Sequence, residues 1–305
     1  MAVATGLPST IDATGGILGA DDVAILGGEL YAAVDGGGAV HGNPDQPSGI
    51  YRVDTAGGTA EIVADLSAWV RANPVAVVPP DYDPDAAGYR MVADEVGGAL
   101  WVLDPNSGQV LRVTPDGTVS RIADLSAQHP VPAAIVADPE GGVYVGYLTA
   151  VPFLDGTSKV SHVAEDGTVK DVWTGLTVVT GLAVDADGTL YALQMSIGNL
   201  DEPPFLMPGS GQVLRRTGPG NSMEVVAEGL MFPIALGIGP DGGMYVSMPA
   251  LGAGGGEGMI VRLDAMGGTP EASPVADAAA CAPIPETLSV PAGEASPETE
   301  ASPVA

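Results

Sequence analysis

The sequence predicts an all-β fold, a β-propeller of four-stranded antiparallel blades, and three observations carry that prediction. A hairpin is written repeatedly: VADPEGGVYVGYL at 136–148, AVDADGTLYAL at 183–193 and GIGPDGGMYVSM at 237–248 alternate with period two around a tight glycine turn. A branched or long apolar residue followed by an aromatic marks the second strand of each unit, at Leu30-Tyr31, Leu100-Trp101, Val143-Tyr144, Leu190-Tyr191 and Met244-Tyr245. The third strands GIYRVD, QVLRVT, KVSHVA, QVLRRT and MIVRLD then place Arg52, Arg112, His162, Arg215 and Arg262 in register. Five units whose aromatics lie 43 to 70 residues apart are a repeat architecture, and four short strands per unit make each one a propeller blade.

Within a unit, the first and second strands join at turns such as Gly27-Gly28, Gly97-Gly98, Asp187-Gly188 and Asp241-Gly242. Glycine stands there because two-residue reversed turns need positive φ. The third and fourth strands join at Asp116-Gly117 and Asp166-Gly167 for the same reason. Fourth strands read EIVADL, SRIADL, VKDVWTGL and MEVVAEGL, which supplies four for five units. MAVATGLP at the N-terminus matches MEVVAEGL, so residues 1–7 are expected to pair with 258–264 and close the ring, hiding a sheet edge.

Composition agrees with a folded β domain followed by a tail. The 305 residues are 46% hydrophobic and include 44 glycines and 27 prolines, enough apolar material for a core cut into short pieces. From about 265 the chain turns to Pro, Ala, Ser and Glu, so the expected organisation is a propeller over 1–264 and a disordered acidic tail over 265–305. A net charge of −28 argues against nucleic acid and anionic surfaces as partners and favours cations or neutral ligands. A lone cysteine, Cys281, rules out an intrachain disulfide, and no apolar run is long enough to insert into a membrane. The chain is expected to be a monomer, and the sequence as written opens without an export signal.

Loop length points to the functional face. Second-to-third and blade-to-blade connections are long, at 35–48, 66–88, 149–158, 196–210 and 249–257, and in an up-and-down blade both types emerge on one rim. That face is expected to take a small molecule, a glycan or a protein. It carries His41, Arg90 and, as the candidate ligand-binding set, Trp69, Arg71, Asn73, Tyr82, His129, Tyr147 and Phe153. WVRAN at 69–73 groups an aromatic, a cation and an amide, as a planar or sugar-like ligand would need, although blade-edge packing of Trp69 reads the same residues structurally. DYDPD at 81–85 spaces Asp81, Asp83 and Asp85 as a hard-cation loop would, with calcium the expected ion, but lacks the glycine and terminal glutamate of a calcium-binding loop. No ordered catalytic triad, zinc-protease motif or phosphate loop occurs. Two functions follow: a non-catalytic binding or scaffold propeller, or a metal-dependent hydrolase, lactonase or lyase. Acid and amide ligands converging on the axis from at least three blades would mark the second.

Three stretches resemble the ScyD/ScyE family of propeller proteins: GIYRVDTAGGTAEIVADLSAWVRANP (49–74), DYDPDAAGYRMV (81–92) and PVPAAIVADPEGGVYVGYLTAVPF (130–153). The resemblance covers roughly residues 1–264. It implies a six-bladed, exported protein, periplasmic or extracellular, with a further N-terminal blade and signal peptide. It carries no reaction and no catalytic residues, and Tyr147 stands where the family commonly has glutamate.

Overall fold

The computed structural model describes residues 3–11, 16–251 and 258–263. The expected tail over 265–305 lies outside them. A short pairing of β1 (Thr10–Ile11) with β2 (Ile17–Leu18) precedes the blades. The first blade is β3 (Ala20–Leu26), β4 (Glu29–Val34), β5 (Gly49–Asp54) and β6 (Thr59–Asp65). The second blade is β7 (Arg90–Asp94), β8 (Ala99–Asp104), β9 (Gln109–Val113) and β10 (Val119–Asp124). The third is β11 (Pro132–Ala137), β12 (Val143–Tyr147), β13 (Ser158–Val163) and β14 (Val169–Leu176). The fourth is β15 (Val179–Val184), β16 (Leu190–Gln194), β17 (Gly211–Arg216) and β18 (Met223–Leu230). The fifth has three described strands, β19 (Ala235–Ile238), β20 (Met244–Met248) and β21 (Met259–Leu263).

Register follows the repeat. Every aromatic of a second strand faces the basic residue of the third: Tyr31 opposite Arg52, Trp101 opposite Arg112, Tyr144 opposite His162, Tyr191 opposite Arg215 and Tyr245 opposite Arg262. Arg52 and Arg215 reach on to Glu61 and Glu224 of the fourth strands, tying three strands by one side chain. Each complete blade also carries a bulge between its third and fourth strands, which twists the outer edge and makes it a poor template for other chains.

Blades stack through apolar faces. Tyr31, Ala33 and Ile50 meet Met91, Leu100 and Val102 between the first and second blades, and Trp101 and Leu103 meet Val143 and Val145 between the second and third. Trp173 and Leu176 meet Leu182 and Leu190 between the third and fourth, and Leu193 and Val213 meet Val246 and Val261 between the fourth and fifth. Burying one such leucine or tryptophan contributes about 1.5–3 kcal/mol, so these four interfaces hold the assembly together. Residues that would form a fifth interface stay open: Val23 and Ile25 on the first blade and Ile260 on the fifth are between 49% and 62% exposed.

The expected closing strand is corrected here. Residues 3–9 form no strand and do not join β21; the Thr5 N–H donates to the Gly58 carbonyl at 3.1 Å, and Ala4 and Leu7 pack on Ala32, Val34, Tyr51 and Val53 of the first blade. The segment covers part of an interblade face there, and burying Ala4 and Leu7 on it is what binds the segment. One helix was also missed, α1 (Leu66–Ala72), inside the connection read as loop. Asp65 caps it by accepting from the Ala68 N–H at 2.7 Å, and Leu66 and Val70, four apart, face the core.

Candidate functional site

The second-to-third and blade-to-blade connections do emerge on one rim, and pairs of side chains lock them together. Asp85 is fully buried; its Oδ2 accepts from the Val40 N–H at 2.8 Å, and Arg71 pairs with its other oxygen. A Cβ on Gly38 would fall inside the Asp85 carboxylate, so glycine at φ +84° is what lets the 35–48 loop close over the acid. His41 meets Asp83 at 2.7 Å, and Asp83 also caps the Asp85 N–H at 2.7 Å. His129 meets Asp81 at 3.0 Å.

Each acid of DYDPD is therefore turned toward a different base. Asp81, Asp83 and Asp85 share the rim but do not share a centre, and among the described residues no three His, Cys, Asp or Glu side chains converge as a metal site. The candidate binding residues are similarly engaged. Trp69 packs half-buried on the first core cluster with the Arg121 guanidinium 5.3 Å from its ring centroid, and Asn73 caps α1 by donating to the Trp69 carbonyl at 2.8 Å. Tyr82 packs on that same cluster, while Phe153 joins an apolar group around Val178, Leu206 and Phe232.

Tyr147 is a correction. It is 1% exposed, sits between the second and third blades with Trp101 and Val145, and its ring lies under the Lys159 ammonium at 5.7 Å. Burial pushes its phenol up to about 12, so it remains neutral, and no ligand on the rim can reach it.

The structure instead gathers ionisable groups in and next to the axial cavity. An axial cavity of about 340 Å³ runs between the innermost strands, lined by Asp22, Arg90 and Met91 together with Thr180 and apolar residues of β11, β15 and β19. Asp21 and Asp22 begin the innermost strand of the first blade, and Asp35 follows β4 beside them. The Gly19 N–H donates to Asp35 at 2.8 Å, and Asp22 accepts from Met91 N–H at 2.9 Å. Arg90 spans from β7 to the Ile234 carbonyl at the entrance of the fifth blade, 3.1 Å away.

Asp21 and Asp35 form a carboxyl pair. Burial, and then the neighbouring Asp35 charge, push Asp21 up to about 8, while Arg90 opposes the shift. Burial raises Asp35 as well, while hydrogen bonds from the Gly19 N–H and with Asp21 lower it, so the pair holds a proton above the usual carboxyl range. One Asp21 oxygen is buried without a hydrogen-bond partner. The sequence carries a signal for this pair. The other innermost strands read RMVAD, PAAIVA, VTGLAV and ALGI, and among them only the first blade's ADD at 20–22 sets two acids side by side.

No protein-family model matches the sequence, and no curated protein matches it. Solved structures do resemble it. A virginiamycin B lyase from Staphylococcus aureus superposes with a TM-score of 0.50 at 12% identity, over 80% of this chain and 66% of that one, so the chain spans about two thirds of the lyase. A chain of a nidogen/laminin complex gives 0.52 at 13% identity, covering 84% and 88%, and a putative gluconolactonase gives 0.50 at 12%, covering 86% and 80%. A lyase, a nidogen/laminin complex and a putative gluconolactonase at such identity share one scaffold and nothing more. The likeness to all three makes the chain a β-propeller of the kind that lyases and gluconolactonases also use.

Proposed function

We propose that the chain is a non-catalytic binding propeller of the ScyD/ScyE kind, acting in the periplasm or outside the cell, that takes a small ligand with a cationic or donor group at the axial mouth of the long-loop face. The observation that carries this reading is the axial cavity lined by Asp22 and Arg90, with the Asp21–Asp35 carboxyl pair next to it and one Asp21 oxygen buried without a hydrogen-bond partner. A buried acceptor without a donor is costly, and Asp22 offers an entering ammonium or hydroxyl an acceptor in the cavity next to it. The bases of the rim support the reading from the other side, since His41, Arg71 and His129 are each committed to an aspartate that holds a loop.

The second reading is a calcium-dependent hydrolase, lactonase or lyase, a chemistry that the names of two propeller neighbours suggest. It calls for ligands converging from several blades. Here the carboxylate that lines the cavity is Asp22, and Asp21 and Asp35 next to it come from the same first blade, which favours binding over metal-assisted chemistry. Calorimetry with 1,4-diaminobutane, glucose and calcium chloride on the wild type and on Asp21→Asn tests the choice. Diamine heats lost in the variant are expected. Absence of any diamine heat, or calcium-dependent hydrolysis of a sugar lactone abolished by Asp22→Asn, would overturn it.

A further inference from the structure

Away from the axis, the same face carries an apolar surface over the third, fourth and fifth blades. Val151, Leu154, Ile197, Met207, Met231 and Met259 are each between 40% and 61% exposed. They are contiguous. Asn199 ties the 196–210 loop to the 149–158 loop by donating to the Pro152 carbonyl at 2.8 Å and to that of Phe153. The Met207 methyl lies against Gly198 and the Met231 methyl against Gly209, so the surface runs on to a shallow cavity of about 450 Å³ between Met231, Met248, Pro249 and Met259.

The floor is firm. Val178, Met195, Leu206 and Phe232 are buried beneath these loops and pack on Leu148, Phe153 and Ile234. Apolar surface on this scale, held open on a rigid base, marks a contact site, and methionines suit one that adapts to its partner. Charge says what the partner is. Asp155, Asp201 and Glu202 are exposed in the same loops, and 149–157, 196–210 and 231–251 contain no lysine or arginine. With −28 on the whole chain, an anionic lipid surface is repelled and a cationic segment is drawn in.

We infer that this rim docks a protein segment with one apolar face flanked by lysines or arginines. Apolar side chains enter between the methionines, and the flanking bases meet Asp155, Asp201 and Glu202 at the edge. The site is separate from the axial mouth, so Asp21→Asn leaves it intact and failure of one reading does not touch the other.

Fluorescence anisotropy with a 14-residue leucine/lysine peptide, amphipathic when helical, against the same composition scrambled, tests it on the full chain. The amphipathic peptide is expected to bind at least tenfold tighter than the scrambled one. The exposed-site variant Leu154→Ser/Ile197→Ser/Met207→Ser, with unchanged circular dichroism and melting, is expected to erase that difference. Equal binding of both peptides would reduce the effect to bulk charge and overturn the inference, as would undiminished preference in the triple variant. A dimer in sedimentation that the variant dissolves would assign the surface to a second copy, and variant-sensitive binding to phosphatidylcholine vesicles without peptide preference would assign it to lipid; either outcome also overturns it.

Discussion

Asp21 shows how one residue couples the fold to pH. Its folded pKa, about 8, lies above its ordinary 3.8, so between those values the folded chain keeps a proton that the unfolded chain has released. Stability from this group is full below about pH 4 and is lost as pH rises toward 8. Burial raises Asp22 and Asp35 in the same direction and adds to the slope. Asp21→Asn, which donates an amide hydrogen to Asp35 at any pH, is expected to stabilise the protein at pH 8 by on the order of 1 kcal/mol. At pH 4 it should be close to neutral, as urea unfolding of both proteins at the two values will show. Arg71→Ala works the other way. It strands the buried Asp85 carboxylate and should cost about 3 kcal/mol, with Arg71→Lys, which keeps the charge, recovering part of it.

At the scale of the element, the Asp-Gly turns look alike in sequence but are not equivalent in place. Gly188, φ +79°, has open space where a Cβ would go, while a Cβ on Gly117, φ +86°, would lie 2.4 Å from the Val63 carbonyl oxygen of the neighbouring blade. Gly188→Ala should therefore cost about 1 kcal/mol of backbone strain. Gly117→Ala should cost that plus displacement of β6, and the difference between their denaturation midpoints measures how tightly the third-to-fourth turn is seated against the preceding blade. The cap of α1 belongs to this scale too: Asp65→Ala is expected to lose about 1 kcal/mol by freeing the Ala68 N–H. α1 escaped notice because its apolar positions, Leu66 and Val70, span a single repeat of the helical period, too short to stand out among alternating strands.

Over the whole molecule, four interblade interfaces carry the stability, and the first and fifth blades leave apolar residues uncovered among the described residues. The consequence is a scaffold whose strength is set blade against blade, so truncation should be felt according to what it uncovers. Removing 277–305, a stretch with no basic residue and few large apolar ones, is expected to leave the melting temperature within about 2 °C of the full chain. Removing 3–7, which uncovers Ala32, Val34, Tyr51 and Val53, is expected to lower it by several degrees. Calorimetric scans of the two truncated proteins would set those expectations against each other. Among the described residues no helix is long and apolar enough to cross a membrane.

The sequence by itself determined the blade repeat and the strand order within the first four blades, but not the closure of the ring, which residues 3–9 do not provide. Alternation with period two and glycine at turns that demand positive φ are local features, satisfied within one blade, whereas the facing of each second-strand aromatic by the basic residue of the third strand, Tyr31–Arg52 through Tyr245–Arg262, is read from the structure. The sequence also determined which rim is elaborated, because connection length is a property of the chain alone. Tertiary structure decided what the rim residues do. Whether Asp81, Asp83 and Asp85 converge on an ion or diverge to His129, His41 and Arg71 depends on three loops separated by up to about ninety residues meeting in space. Tyr147 was taken out of reach by the neighbouring blade packing over it. The Asp21–Asp35 pair likewise exists only once β3 and the end of β4 lie side by side at the axis, where burial, not spacing, makes two carboxyl groups share a proton.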